Sequence, residues 1–400
     1  MKKILLIHTH GGIGGAGQSL VDIVKALIDL GLDVTVACPK KPDVMCNYLK
    51  KFCVKIVPLD KPLPALPHYS GASASNVNLA YWRSFFSVLK YGKEEVERIL
   101  SEDKYDVVVV NSLVYAWVGK YVSKEIPVIC FHRETYVDTF FNIRTQYLMK
   151  ELVNNNSRIV FISKYDKDKT KYLSKNQGVV IPDCVDIEKF NVSKDDARTC
   201  LNLETATKYI LFVGGTSRIK GAHVILNALK YIKDSNVKIL LGPWNESDNR
   251  KSLRNILNKS SAYNIKRIIE KYNLEDRIVF FEAQEDMSLY YCATDVVVFP
   301  SVVPHQGRPI YEAGAAHKTI VVSDFKETKE NLIDRFNGLV FKAGSSKDLA
   351  SKLNCILEDG KLKTELENNN YYMTCTYHDS KKFEKEIKQL FTEVKEGKRI

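Results

Sequence analysis

VVVFPSVVPHQGRPIYEAGAAHKTIVVS, residues 296–323, is the stretch whose reading decides the fold. An apolar, β-branched run ends at Pro300, and a polar loop follows with Pro304, His305, Gln306, Gly307 and Arg308. A helix-forming run opens around Tyr311 and Glu312, and a second apolar strand starts at Thr319. Strand, polar loop, helix and strand in that order make one crossover of an open parallel sheet. Ligands of such sheets bind beside the loops at the carboxyl edge. Gly307 and Arg308 at a helix start suit an anionic group, because free N–H groups and the helix dipole attract it and a guanidinium can fork onto phosphate oxygens. An ordinary surface loop of an α/β domain fits the same pattern, so this stretch alone leaves both readings open.

Working outward, the same alternation fills the chain. Residues 3–8 read as a buried parallel strand, followed by a loop with Gly11, Gly12, Gly14, Gly15 and Gly17 and then apolar residues at helical spacing. Glycines let the backbone approach a ligand closely at a helix N-terminus. The dinucleotide fingerprint is only loosely met, as Gly12-Ile-Gly14, and the next strand, 34–38, ends in Pro39 with no acidic residue for a ribose. Further strands are expected at 54–57, 106–111, 127–131 and 158–162, and residues 61–75 read as loop. His132, Arg133 and Glu134 follow one strand and form a polar cluster at its carboxyl end. The turn-rich segment 182–190 is placed as an inter-domain hinge. The alternation then restarts at 209–213 with a second glycine turn, GGTSRIKG, that carries Arg218 and Lys220 before a helix. It is no P-loop, since GK[ST] is missing, but two cations beside a helix start can neutralise a diphosphate. The tail from Lys381 places Phe383, Ile387, Leu390, Phe391 and Val394 on one helical face, which must be buried somewhere, in the plainest case on the second domain.

Composition narrows the partners. A length of 400 residues implies at least two domains. The net charge of +11 points to acidic partners: phosphorylated substrates, an anionic membrane or nucleic acid. The lysines are spread out, and there is no arginine-rich arm, zinc-finger spacing or RNA-recognition signature, which argues against dedicated nucleic-acid binding. Nine cysteines without a CxxC read as unpaired thiols of a reducing, cytoplasmic setting. The segment AYWRSFFSVLKYGKEEVERIL mixes Tyr81, Trp82, Phe85, Phe86 and Tyr91 with Arg83, Lys90 and Lys93. It reads either as a helix lying on a lipid surface or as one packing on its own core.

Taken together, GGAGQS in the first loop, IPDCVDIEKF at the hinge, Lys220-Gly221, ATDVVVFPS, EAGAA from Glu312 and NGLVF from Asn337 resemble the GT-B glycosyltransferases, particularly the large retaining family 4. The resemblance implies an α/β fold of two Rossmann-like, doubly wound domains facing a cleft. It sets an acceptor-side domain at 1–186, a nucleotide-sugar-binding domain at 187–380 and a helix at 381–400 that crosses back to the first domain. By position it implies that Lys220 pairs with the donor diphosphate, with Arg218 and the turn at Gly215 beside it. Glu312 holds the ribose hydroxyls. Gly307 and its neighbours His305, Gln306 and Arg308 meet donor phosphate or sugar. Gly14 and Gly15 face the diphosphate from the other domain, and His132 lies beside the reacting sugar. The chain departs from the family at Pro304, where the first of two spaced glutamates is usual. It departs also at Gly215, where an arginine is usual, at Asp183-Cys184 in place of Asn-Gly, and at His317 in place of glycine.

The implied activity is transfer of a sugar from a UDP- or GDP-sugar to a glycan or lipid-linked glycan. It would proceed with retention and without cofactor or metal, in cell-surface polysaccharide or glycoconjugate synthesis, with peripheral contact at the inner membrane face. Asp166-Lys-Asp168 is a literal DxD, yet it sits in a lysine-rich helix start and is not taken as a metal site. The competing readings are a sugar-nucleotide epimerase, an inverting transferase and a non-catalytic nucleotide- or glycan-binding homologue.

Overall fold

The structure is a computed structural model and describes residues 2–66, 79–136, 143–174, 176–244 and 261–396. The loop expected at 61–75 lies outside the described residues from 67 on, as does the tail beyond 396. The chain forms two compact units, Met1–Cys184 with Ser380–Ile400, and Val185–Asp379.

The first unit is built on seven parallel strands: β1 (Lys3–Ile7), β2 (Asp33–Pro39), β3 (Lys55–Leu59), β4 (Val107–Val110), β5 (Val128–His132), β6 (Arg158–Phe161) and β7 (Gly178–Val180). Their order in the sheet is β3-β2-β1-β4-β5-β6-β7. β1 and β4 are almost wholly apolar because both faces of a parallel sheet are covered. Leu5, Ile7, Val108 and Val110 pack on one side, with the 22-residue helix α3 (Leu79–Leu100) and the 3-10 helix Leu113–Tyr121. Ile4, Leu6, Val107 and Val109 pack on the other, with α1 (Gly15–Asp29), which precedes the short α2 (Val44–Lys50). The unit also holds α4 (Ile143–Asn155) and α5 (Lys164–Lys169).

The second unit opens with α6 (Lys194–Cys200) and contains six parallel strands: β8 (Lys208–Phe212), β9 (Val237–Leu241), β10 (Ile278–Phe280), β11 (Val296–Phe299), β12 (Ile320–Ser323) and β13 (Leu339–Phe341), in the order β10-β9-β8-β11-β12-β13. One face is covered by α7 (Ala222–Ala228), α8 (Ser261–Tyr272) and, after β13, α11 (Ser346–Glu358). The other is covered by α6, α9 (Ser288–Ala293) and α10 (Arg308–Ala315), while α12 (Gly360–Tyr377) packs on α10. At the start of β11, Asp295 accepts hydrogen bonds from Arg198 Nη2 and from the Tyr209 amide, each at 2.8 Å. This buried acid ties α6, β8 and β11 together.

Two expectations change. The helix after the polar loop begins at Arg308, not near Tyr311, with Gly307 as its N-cap residue and Pro309 in its first turn. Proline suits that turn, where its missing N–H is not needed and its φ is already helical. The tail forms α13 (Ser380–Lys395) and buries Phe383, Ile387, Leu390 and Phe391 in the first unit beside Leu20, Val21 and Val24 of α1. This is the packing on the first domain that the resemblance implied, and it displaces the plainer expectation of packing on the second. The chain enters and leaves the second unit side by side: the Val185 amide donates to the His378 carbonyl at 2.8 Å.

Candidate functional site

Each sheet has one place where consecutive crossovers run in opposite directions. In the second unit β8 leads to β9 and β10 on one side, and β11 leads to β12 and β13 on the other. A crevice opens at the carboxyl ends of the two strands flanking such a switch, and ligands bind there. Here those ends carry the basic turn from Gly214 to Gly221 and the loop from Pro300 to Gly307. The two are stitched together: the Val302 amide donates to the Ile219 carbonyl at 3.0 Å, and Ser301 Oγ donates to the same oxygen at 3.1 Å. Gly221 has φ +85°, and an added Cβ would lie 1.8 Å from the Pro300 carbonyl oxygen. A side chain there would push turn and loop apart.

Lys220 extends past the Phe299 ring, its Nζ 5.6 Å from the centroid, and hydrogen-bonds His305 Nε2. His305 keeps part of its surface in solvent, yet crowding by its loop and then the nearby Lys220 charge lower its pKa, so its imidazole is neutral at pH 7. The ammonium therefore donates to Nε2 and the ring proton sits on Nδ1. Burial pulls the Lys220 pKa down to about 8. Within hydrogen-bonding reach of this ammonium the described residues offer a neutral acceptor and no carboxylate, which suits a cation waiting for an anion.

Glu312 lies on α10, one turn from the loop. Its Oε1 accepts from Arg308 Nε at 3.1 Å, and its Oε2 accepts from Tyr291 Oη at 2.6 Å. Tyr291 is fully buried on α9, and burial followed by the Glu312 charge raises its pKa well above the ordinary phenol value, so it donates as a neutral hydroxyl. Each carboxylate oxygen keeps a second lone pair, the arrangement needed to accept from paired hydroxyls. Gly307 sits against Phe299, and a Cβ there would come within 2.5 Å of that ring. Gln306 belongs to the same loop. Gly215 adopts φ +57° and donates its amide to the Gly242 carbonyl at 2.7 Å. Arg218 is exposed and lines a groove with His223, Arg267 and Lys271, not the Lys220–His305 pair.

In the first unit the switch lies between β1 and β4. Gly14 is the N-cap residue of α1 and Gly15 its first residue, with no side-chain cap and no acid in the first turn. Asn111, at the end of β4, donates through Nδ2 to the Ala16 carbonyl at 3.1 Å. Its Oδ1 accepts from Arg133 Nε at 2.6 Å, and Arg133 also pairs with Asp183. Because arginine can only donate, the Asn111 amide is fixed with Nδ2 toward His8 Nδ1, 3.2 Å away. Burial, then the charges of His10 and Arg133, hold the His8 pKa at about 3. His132, the last residue of β5, is fully buried with its ring 5.1 Å from Phe161. Glu134 accepts from the Leu113 amide at 2.8 Å and from Ser112 Oγ, and so holds the start of the 3-10 helix. The sequence cluster His132-Arg133-Glu134 is thus spent largely on internal bonds. Asp166 is likewise engaged: it accepts from Ser163 Oγ at 2.6 Å at the head of α5, while Asp168 pairs with Lys164.

Sequence reading missed Tyr291, His8 and the Arg133–Asp183 pair. A polar residue closing an all-valine strand was the signal for Asn111. Nothing local marks Tyr291, whose role comes from a contact 21 positions away.

Comparison with known proteins bears on the fold and the family. The Glycosyltransferase Family 4 description matches residues 13–189 and Glycosyl transferases group 1 matches residues 193–373, so the two together take in most of the chain. An uncharacterised glycosyltransferase of Methanocaldococcus jannaschii is 23% identical over 228 residues, 57% of this chain and 57% of that protein. The N,N'-diacetylbacillosaminyl-diphospho-undecaprenol alpha-1,3-N-acetylgalactosaminyltransferase of Campylobacter jejuni is 27% identical over 38% of this chain and 35% of its own length. Among solved structures, Anabaena HepE in complex with UDP and glucose superposes with a TM-score of 0.76 at 18% identity, over 98% of this chain and 100% of that one. Two parallel-sheet Rossmann-like units, both family matches and these neighbours lead to one conclusion: the chain belongs to the group 1 glycosyltransferases of GT-B fold.

Proposed function

We propose that the chain transfers a sugar from a UDP- or GDP-sugar to a glycan or lipid-linked glycan acceptor. Transfer proceeds with retention and without metal, in the synthesis of a cell-surface polysaccharide or glycoconjugate at the cytoplasmic face of the membrane. The observation that carries this reading is Lys220 hydrogen-bonded to a neutral histidine at the β8/β11 switch, with the carboxylate of Glu312 one turn into the helix that follows the same loop. Support comes also from HepE, whose structure holds UDP and glucose, and from the Campylobacter relative, named for a sugar-diphospho-undecaprenol substrate.

In this reading Lys220 leaves His305 for the donor diphosphate and stabilises the negative charge that grows as the glycosidic bond breaks. A cation placed there favours the transition state over the ground state. Glu312, oriented by Tyr291 and Arg308, accepts from the ribose hydroxyls. The loop residues His305, Gln306 and Gly307 meet the sugar, and His305 then offers the proton on Nδ1. Pro304, which can neither donate through its backbone nor accept through a side chain, leaves sugar selection to those neighbours. Arg218 adds long-range positive potential to the turn. In the first unit Gly14 and Gly15 present the uncapped start of α1 to phosphate, while His132, fully buried at the end of β5, supports that edge from within and does not touch the sugar. The acceptor hydroxyl attacks the face from which the diphosphate departs and passes its proton to the departing oxygen.

The test is slow release of nucleoside diphosphate, without acceptor, from a panel of UDP-, GDP- and ADP-sugars, with chelator present throughout. Release from one donor, lost in Lys220→Ala, is the expected outcome. Silence across the panel with intact nucleotide binding would instead identify a non-catalytic homologue.

A further inference from the structure

Helix α3 carries a surface that the transfer reading leaves unused. Its inner face is conventional: Phe85, Val88, Val96 and Ile99 are buried in the core of the first unit. Its outer face is not. Leu79 is 82% exposed, Phe86 59% and Leu89 47%. At 100° per residue, Leu79, Phe86 and Lys93 fall within about 20° of one line along the helix. Arg83 and Lys90 flank that line on one side and Trp82 and Leu89 on the other. Ile143, at the start of α4, is 55% exposed one turn before Tyr147, whose ring packs 5.2 Å from Phe85. Isolated exposed apolar residues need no explanation, but several large ones gathered on one helix face do.

Charge says what the face suits. From Leu79 to Lys93 the helix carries Arg83, Lys90 and Lys93 and no carboxylate, while Glu94, Glu95 and Glu97 all follow. Lys90 Nζ lies 4.9 Å from the Tyr91 ring centroid, its stem along the apolar surface and its head in water. Phenylalanine and leucine along the outer line, tryptophan at its flank and cations around them are the residue types that settle at a boundary between lipid tails and anionic headgroups. We infer that the first fifteen residues of α3 are a docking face for an anionic lipid bilayer, with Phe86 and Leu89 entering the headgroup layer and Arg83, Lys90 and Lys93 meeting lipid phosphates. This deepens the membrane contact proposed above and rests on that part of the reading, not on the transfer chemistry.

The experiment is flotation of the full chain with vesicles of phosphatidylcholine alone, or with about a third phosphatidylglycerol, at roughly 0.1 M and 0.5 M salt. The wild type is expected to partition at least about tenfold more strongly onto the anionic vesicles and to lose most of that gain at the higher salt. The double variants Phe86→Ser/Leu89→Ser and Arg83→Glu/Lys90→Glu should each weaken partitioning by at least about tenfold while leaving UDP affinity and melting temperature intact. Brominated lipid should quench Trp82 fluorescence, read as the signal lost in Trp82→Phe. Equal binding to neutral vesicles, no binding to either, or wild-type partitioning by both variants overturns the inference. So does a concentration-dependent dimer that Phe86→Ser/Leu89→Ser dissolves, which would give the face to a second copy of the chain. Nucleotide release is read separately, so vesicle binding without it, or the reverse, shows which proposal failed.

Discussion

If Lys220 binds the donor diphosphate as an ammonium, nucleotide affinity must depend on pH in a way set by its depressed pKa. Burial holds that pKa at about 8, below the ordinary lysine value of 10.5. The binding-competent cation is therefore almost fully populated at pH 7 and about nine-tenths lost at pH 9. Affinity is present below the depressed pKa and falls as pH rises through it. From the two populations, the Kd for UDP or GDP should rise about tenfold between pH 7 and pH 9, a span in which a terminal phosphate with a last pKa of about 6 is already at least about nine-tenths ionised. Because the phosphate restores the charge, binding at pH 8 should also take up about half a proton per nucleotide, visible in calorimetry as an enthalpy that varies with the ionisation heat of the buffer. Lys220→Arg keeps a charge that cannot titrate in this range and should flatten the profile. Lys220→Ala should weaken binding at pH 7 by roughly 10- to 150-fold, the worth of one charge-assisted hydrogen bond. A flat wild-type profile, or an unchanged slope in Lys220→Arg, would refute the assignment.

Glu312 should matter for the ribose in particular. UDP should bind more tightly than 2′-deoxy-UDP to the wild type, and Glu312→Ala should reduce that preference to nearly nothing; a preference that survives would place the ribose elsewhere. Ile387→Ala, fully buried in α13, should destabilise the first unit by about 2–5 kcal/mol in denaturant melts. Nucleotide affinity should fall far less in that variant under native conditions than in Lys220→Ala, and an equal loss would contradict a site whose main contacts, Lys220 and Glu312, lie in the second unit.

The strands were legible because a parallel sheet covered on both faces demands unbroken apolar runs, such as VVVV at β4 and VVVF at β11. The two glycine turns marked where each sheet begins, and Lys220 and Gly307 could be named from the turn and helix start that carry them, whereas Glu312 was named by the family resemblance alone. What brought them together was not legible. Lys220 and His305 are 85 positions apart, and they meet because β11 pairs with β8 and not with β10, which it follows in the chain. Periodicity within a strand does not report its neighbour. The pairing of Arg133 with Asp183, 50 positions on, was hidden for the same reason. It gives the departure from Asn-Gly at that position a physical partner: the acid stands where a buried guanidinium reaches it, both side chains being at most 12% exposed. Gly307 and Arg308 were legible as a helix start, although the run was expected to open only around Tyr311, and the first turn of a helix is where Pro309 fits best.

The place of α13 in the first unit has a consequence for synthesis. Its Phe383, Ile387, Leu390 and Phe391 belong to the same core as the first strand and helix, yet all of Val185–Asp379 is made in between. At about 5–20 residues per second, a ribosome needs roughly 10–40 s to traverse that segment. Throughout that interval the nascent first unit has its sheet and α1 but lacks the apolar side chains that seal them, while the second unit has every element it requires as soon as it emerges. The domain encoded first is therefore the one completed last, and the flank of α1 beside Leu20 and Val24 stays uncovered until α13 has been made.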